Sequence, residues 1–419
     1  MTVIVAILCL IANFAACTDD DRMVEVVDEI ESNDYHVSLD EALATADRFL
    51  SGLESETTRS GEARRVKSAS LITLVPRTRS ASDAVDGSFY LVNYEDERGF
   101  ALLSADRRML PIYAFSDTGS LYMQDTIDNK PLALFFENLK YKAATASSNP
   151  STYIFDGRKY ITGAQVSPLL SMGARRWGQL APYNDSCPLI RNENGELMNA
   201  PVGCTAVSVA QIMSYYKWPK SAGKTHFLWR SMNRGQSYNK VAFLMAWLGR
   251  KELLNINYND ESSATMAGVK RAFMGMGYKA PDDYKDFDEA KAITILTNAK
   301  AVSPKISGSG PLLISSITIN DQTKQGDGHS WVIDGYAKYV VDDTDLTPKL
   351  NQNYTYFHCV WGNTGGTANG YFYMLSSNSI GDSMPGAINN NDYYTGLQTN
   401  VKVYVQKQMK YMTNFVPDK

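Results

Sequence analysis

The residues that do chemistry on their own are scarce in this chain. Histidine occurs four times, at His36, His226, His329 and His358, so any imidazole-dependent reaction has few places to be. Cysteine occurs five times, at Cys9, Cys17, Cys187, Cys204 and Cys359, and never as a Cys-x-x-Cys pair. That spacing excludes the usual structural zinc site. Glycine-rich phosphate loops are absent. Asp342, Asp343 and Asp345 lack the EF-hand pattern and read as a solvated loop. Positive charge is not in excess: the net charge is −4, which gives no electrostatic ground for binding nucleic acid. No internal repeat and no low-complexity tract is found. The longest apolar run, Val3 to Ala16, is about fourteen residues, too short to cross a bilayer.

What is present is ordinary globular material. Of 419 residues, 44% are hydrophobic and 21% charged, enough for two or three domains. The 25 tyrosines suit an extracellular, β-rich protein. The N-terminal apolar run has the length of a signal-peptide core. It ends in Phe14-Ala15-Ala16-Cys17, which resembles a bacterial lipobox and makes Cys17 the expected lipidation site. Thr18-Asp19-Asp20-Asp21 resembles the acidic surface-export signal of Bacteroidetes lipoproteins. Export to the cell surface or outer membrane follows, with membrane contact only through a lipid on Cys17. Three thiols then remain, and an odd number leaves at least one unpaired.

Downstream, Ser38-Leu39-Asp40-Glu41 has the form of a capping box. Leu39, Leu43, Ala46, Leu50 and Leu53 follow at helical spacing and predict an amphipathic helix over 39–53. Residues 54–70 read as a loop. Phe89 to Glu95 and Phe100 to Ser104 predict a hairpin around Asp96-Glu97-Arg98-Gly99, with a further strand at Ile112 to Phe115. A helix is expected over 130–143, Pro131 sitting in its first turn. The small polar stretch that follows reads as a linker open to proteolysis. The boundaries predicted are a signal segment at 1–17, a first domain at 23–145, a linker at 146–159 and a larger domain at 160–419.

Three segments of the larger domain carry candidate chemistry. From Gly203-Cys204 to Tyr216 the chain is free of glycine and proline, and Ala206, Ala210 and Met213 form an apolar helical face. Cys204 therefore starts a helix, where the dipole favours the thiolate. Gly326-Asp327-Gly328 reads as a turn that delivers His329 to a strand over Trp331–Ile333. Gln179, some two dozen residues before Cys204, could give a side-chain N–H to an oxyanion, with the Cys204 amide as second donor.

Together these segments resemble the streptopain family of papain-like cysteine proteases. Gly-Cys-x-Ala-x-x-x-Ala-Gln-Ile-Met-x-Tyr is similar to its nucleophile helix, Gly-His-Ser-Trp-Val-Ile-Asp-Gly-Tyr to its histidine segment, and Trp-Gly-Gln-x-x-Pro-Tyr-Asn to its glutamine segment. His358-Cys359-Val360-Trp361-Gly362 is similar to its Trp-Gly stretch, and residues 39–143 resemble its inhibitory propeptide. The resemblance implies an α+β protein: a small α+β propeptide domain, then a papain-like domain with the nucleophile helix packed on an antiparallel sheet. It implies a secreted zymogen that hydrolyses peptide bonds, with Cys204 as nucleophile, His329 as general base and acid, and Gln179 in the oxyanion hole. It also implies protein or peptide substrates preferring hydrophobic residues upstream of the cut, no cofactor or metal, and an activating protease that removes a propeptide covering the cleft. Val360 stands where the family usually has Asn, so Trp361 packing or a backbone carbonyl is left to orient His329. Two alternatives share the fold: a catalytically impaired surface-binding lipoprotein, and an amidase or acyltransferase.

Overall fold

The computed structural model describes residues 35–53, 64–74, 88–126, 129–146, 160–192, 194–259, 262–301, 308–319, 326–341, 353–374 and 409–418. The expected leader with Cys17, the expected linker at 146–159 apart from Ala146, which ends a helix, and the expected loop at Asp342–Asp345 lie outside the described residues. The first domain comprises α1 (Leu39–Leu53), β1 (Val66–Thr73), β2 (Ser88–Tyr94), β3 (Phe100–Ser104), β4 (Ile112–Ser116) and α2 (Lys130–Ala146). The second begins with β5 (Tyr160–Val166) and α3 (Met172–Arg175). The hairpin β6 (Leu189–Arg191) and β7 (Leu197–Asn199) follows, then α4 (Cys204–Tyr216). A helical lobe holds β8 (Ser221–Ala222), β9 (Thr225–His226), α5 (Trp229–Met232), α6 (Tyr238–Leu248) and α7 (Met266–Gly275). Then come β10 (Lys285–Asp286), α8 (Glu289–Ala301), β11 (Leu312–Ile319), β12 (Gly326–Val341), β13 (Asn353–Val360), β14 (Gly370–Tyr373) and β15 (Lys410–Met412).

The α+β expectation holds, and so do most of the local readings. The Glu41 N–H donates to Ser38 Oγ at 3.3 Å, as the capping box requires, and Ala42, Ala46 and Leu50 face the core at four-residue intervals. Asp96 and Glu97 turn the β2–β3 hairpin with positive φ. Two readings need correction. Residues 66–70 belong to β1, not to a loop, because they pair with β2. His329 lies inside a sixteen-residue strand, not at its mouth, since Gly326 and Gly328 pair with Ile319 and Ile317 of β11.

Among the described residues eleven strands form one antiparallel sheet in the order β1-β2-β3-β4-β14-β13-β12-β11-β15-β10, with β5 paired to β12. Because successive side chains leave a strand on opposite faces, this sheet divides two cores. Trp331 and Ile333 pack in the core that includes the first domain, whereas Val332 between them packs against α4, α6 and α7. Leu312, Leu313 and Ile314 of β11 alternate in the same way.

The two domains meet strand to strand. β4 pairs with β14 through Phe115↔Tyr371 and Ala114↔Phe372. The Phe115 ring stacks on Tyr371 at 5.3 Å and meets Tyr356 edge-on at 5.0 Å. Phe135 of α2 meets Phe372 at 4.9 Å, and Tyr356 Oη donates to the Ile112 carbonyl at 2.9 Å. Phe115 is fully buried at the centre of this joint. Truncation of such a ring typically costs about 3–5 kcal/mol. Phe115→Ala should therefore lower the denaturation midpoint of the full chain by a corresponding amount, read by urea unfolding. A shift below about 1 kcal/mol would show that the joint does not hold the domains.

Candidate active site

Helix α4 is buried on nearly every side, not on one face alone, so its polar residues need internal partners. Ser208 Oγ donates to the Cys204 carbonyl at 2.9 Å, and Ser214 Oγ donates to the Gln211 carbonyl. Gln211 Nε2 reaches out of the helix to the carbonyls of Ala174 and Trp177, at 3.2 and 3.3 Å. Gly203 takes the N-cap with φ of 87°, a conformation that glycine adopts without strain. A Cβ there would lie 2.8 Å from the Ser262 carbonyl oxygen. Cys204 thus opens the helix with its amide free of the intrahelical ladder.

Around the Cys204 sulfur three groups from two elements converge. His329 of β12 hydrogen-bonds it, the Ser330 N–H donates to Sγ at 3.4 Å, and the Thr205 hydroxyl adds a further contact. Thr205 Oγ1 and Ser330 Oγ are 3.3 Å apart, which ties the start of α4 to the same strand. Burial alone would raise the Cys204 thiol. The hydrogen bond and charge of His329, with the Ser330 and Thr205 contacts, outweigh it and hold the thiol below its ordinary value. The other two thiols differ. Burial pushes Cys187 up to about 11, and it lifts Cys359 well above the thiol range, with the Asp334 charge adding to the rise.

Gln179 is held beside this centre by its backbone. Its carbonyl accepts from the Val202 N–H at 2.9 Å, two residues before Cys204. Trp361 lies in the loop after β13, buried at 2% exposure, its indole N–H donating to the Ala368 carbonyl at 3.1 Å. Its ring packs on Trp331, two residues along the strand from His329, at 5.7 Å. The loop that departs from the family pattern is itself a clamp on the glutamine segment. Asn369 accepts from the Trp361 N–H and donates to the Arg175 carbonyl, the Gly365 N–H reaches the Arg176 carbonyl, and Thr364 Oγ1 accepts from the Leu180 N–H.

Five contributors escaped the sequence reading: Ser330 and Thr205 at the sulfur, Asn369 in the clamp, Asp334, and Tyr284. The β12–β13 register slips by one residue between Ile333 and Gly335, which makes Asp334 the extra residue of a bulge. The bulge aims its carboxylate at His358 Nδ1, 2.6 Å away, while the other oxygen accepts from the Leu170 N–H at 2.9 Å. Gly335 beside it lets the chain of Val166 pass, whose carbonyl oxygen would lie 2.7 Å from a Cβ. His358 is thus a core residue with a partner and stands apart from Cys204. Tyr284 lines a pocket of about 280 Å³ that also touches Thr205, Gly328 and Ser330, next to Cys204 and His329. None of the described first-domain residues lines it.

Comparisons with known proteins bear on the family. A model of the Spi protease inhibitor matches residues 34–143, and a model of the Peptidase C10 family matches residues 177–237 and 223–372. Streptopain of Streptococcus pyogenes is 26% identical over 199 residues, 44% of this chain and 48% of the relative. The thiol protease/hemagglutinin PrtT of Porphyromonas gingivalis is 21% identical over 331 residues, 72% of this chain and 36% of the relative. The chain thus spans about half, or less, of the length of these curated relatives. Among solved structures, prointerpain A of Prevotella intermedia is 18% identical with a TM-score of 0.49, covering 85% of this chain and 100% of that one. Active interpain A is 20% identical with a TM-score of 0.36, covering 60% and 95%. The two family models, taken in chain order, define a cysteine peptidase preceded by an inhibitor-like domain: the chain belongs to the streptopain-like C10 cysteine proteases that carry an N-terminal propeptide.

Two measurements probe the site directly. The iodoacetamide reaction of Cys204 should show a pH inflection below that of an ordinary thiol, and His329→Ala should move it upward, because the hydrogen bond and the charge are both lost. Identical profiles would remove His329 from the sulfur's environment. Asp334→Ala leaves His358 Nδ1 and the Leu170 N–H without the carboxylate they share. Losing a buried hydrogen bond to a charged group costs about 1.5–3 kcal/mol, which urea unfolding of the full chain would register.

Proposed function

We propose that this chain is the exported zymogen of a cysteine endopeptidase that cleaves protein substrates through Cys204 and His329. The single observation that carries the reading is the convergence of His329 and the Ser330 N–H, 3.4 Å from Sγ, on a cysteine sulfur at the N-terminus of a buried helix. A thiolate so placed attacks a peptide carbonyl carbon and forms a tetrahedral oxyanion. Gln179 and the Cys204 amide are the donors assigned to that oxyanion, and the clamp from Thr364 and Asn369 keeps the Gln179 segment in place. Collapse of the intermediate leaves a thioester, while His329 gives its proton to the departing amine. His329 then takes a proton from water, the hydroxide attacks the thioester, and the acid product leaves with the thiolate restored.

The altered stretch from Val360 to Gly366 does not favour the impaired-protein alternative, because Trp361 and the two clamp residues supply rigid support without the family's Asn. The linker at 146–159 is the proposed processing region, cut by an activating protease. Cys17 is the proposed lipid-bearing residue of a cell-surface form, and among the described residues no helix is long and apolar enough to cross a membrane. Loss of labelled-palmitate incorporation in Cys17→Ala would support that anchor, and continued incorporation would refute it.

Hydrolysis of unfolded casein tests the central claim. The chain lacking residues 1–17 should gain activity on limited proteolysis, and Cys204→Ala should show none before or after. Gln179→Ala should lower kcat by roughly 10²–10³-fold, the usual cost of removing one oxyanion donor. Folded, trimmed protein that leaves casein intact would overturn the endopeptidase reading, and a full-length chain as active as the trimmed one would overturn latency.

A further inference from the structure

The net charge of −4 conceals an uneven distribution. From Leu197 to Lys251 the chain carries eight Lys and Arg but no Asp or Glu, and the first carboxylate beyond is Glu252. Helix α6 gathers part of that charge. Val241, Ala242, Leu244, Met245 and Leu248 are buried, which leaves Lys240, Phe243, Trp247 and Arg250 as an outer stripe at spacings of three and four residues. The Phe243 and Trp247 rings stack at 5.5 Å, and the Arg250 guanidinium lies 4.3 Å from the Trp247 centroid. The turn between β8 and β9 leans on the same ring, since a Cβ at Gly223 would fall 2.9 Å from Trp247 Cη2. That contact brings the exposed Lys224 of the turn to the stripe. Arg250 also meets Glu252 at 3.4 Å, an exposed pair of little strength. Three cations thus surround a half-buried aromatic pair. Its rings are held by their own neighbours, so they offer a base or a sugar no free platform and do not project as a lipid-inserting wedge would.

We propose that this face of the helical lobe is a docking surface for acidic, extended segments of protein substrates. Its role rests on the endopeptidase reading and narrows the substrate class to proteins that carry such a segment away from the cut. Lys240 and Arg250 are about 15 Å apart along the helix, at about 1.5 Å per residue. An extended segment advances about 3.3 Å per residue, so about five residues cover the stripe with alternate side chains facing it. Carboxylates at those alternate positions meet the cations one after another. Each exposed pair contributes little, and several along one segment add up. The local positive field also draws an acidic segment in from a distance. None of Lys224, Lys240 and Arg250 is among the groups that meet the Cys204 sulfur, so docking acts on encounter and retention and leaves the reacting centre alone.

The first readout is binding, which needs no turnover. Residues 1–34 are removed because they hold an acidic run of their own from Asp19 to Asp34; every described residue is kept, and Cys204→Ala prevents cleavage of the probe. The probe is a labelled, unstructured peptide with Asp or Glu at every second position, compared by fluorescence anisotropy with its Asn/Gln counterpart. At about 0.01 M salt the acidic peptide should bind with a Kd at least about tenfold lower, and the difference should vanish at about 1 M, where the Debye length falls to about 3 Å. The triple variant Lys224→Glu, Lys240→Glu, Arg250→Glu should abolish it. The second readout is kcat/KM of the trimmed enzyme on a neutral unfolded protein with and without that acidic segment appended. The segment should raise kcat/KM about tenfold through KM, the triple variant should lose the gain, and both enzymes should turn over a short neutral peptide equally. Equal binding of the two probes, or binding undiminished in the variant, would overturn the proposal. So would phosphatidylglycerol vesicles or a sulfated polysaccharide binding where the acidic peptide does not. Binding with no turnover of any substrate would sink the endopeptidase reading and leave the docking surface standing. If the triple variant does not fold, the salt dependence and the single Lys224→Glu variant still decide.

Discussion

The long strand β12 has to satisfy two cores and a reacting centre at once, and the rest of the molecule is arranged around that demand. Its alternation sends Trp331 and Ile333 to the face shared with the first domain and Val332 to the helical lobe. His329 and Ser330 upstream of them meet the Cys204 sulfur. A strand packed on both faces can shift neither along its axis nor by one residue without moving apolar side chains into the wrong core. The histidine is therefore positioned by hydrophobic packing some distance away, not only by its immediate neighbours.

The bulge at Asp334 reconciles this rigidity with the rest of the chain. One extra residue on β12 lets a carboxylate turn toward His358, while Asp334's carbonyl and its second carboxylate oxygen take the N–H groups of Leu169 and Leu170. The segment that enters the second domain from the linker side is thus fastened to the strand that carries the catalytic candidate. On the opposite flank, Asn369 and Thr364 fasten the Gln179 segment to the loop beyond β13. Val360, next to this loop, is fully buried in the helical-lobe core. The loop itself is laced to the Gln179 segment by hydrogen bonds from several residues.

Helix α1 was legible in the sequence from its capping box and apolar spacing, α4 from an apolar run free of glycine and proline after Gly203, and Cys204 and His329 stood out because so few cysteines and histidines compete with them. The length of β12 was hidden by Gly326 and Gly328, which read as turn residues although the ladder to β11 runs through them. β1 was hidden by its Ser and Ala content, since its pairing with β2 is what makes it a strand. Tyr284 sits in the sequence Asp282-Asp283-Tyr284-Lys285, which looks like a solvated loop. Only the fold brings it to the pocket wall. The junction of β4 with β14 joins residues more than 250 positions apart, and no local pattern announces such a contact.

That junction has a second face. While the propeptide is attached, β14 lies between β13 and β4, and the rings of Tyr371 and Phe372 are covered by Phe115, Phe100 and Phe135. Its removal would leave the side of β14 that β4 occupies with open N–H and C=O groups, while Tyr371 and Phe372 would keep only His358 and Trp361 as ring partners, an arrangement that invites other strands to add on. If processing occurs as proposed, a mature form would carry an adhesive margin that its precursor keeps sealed.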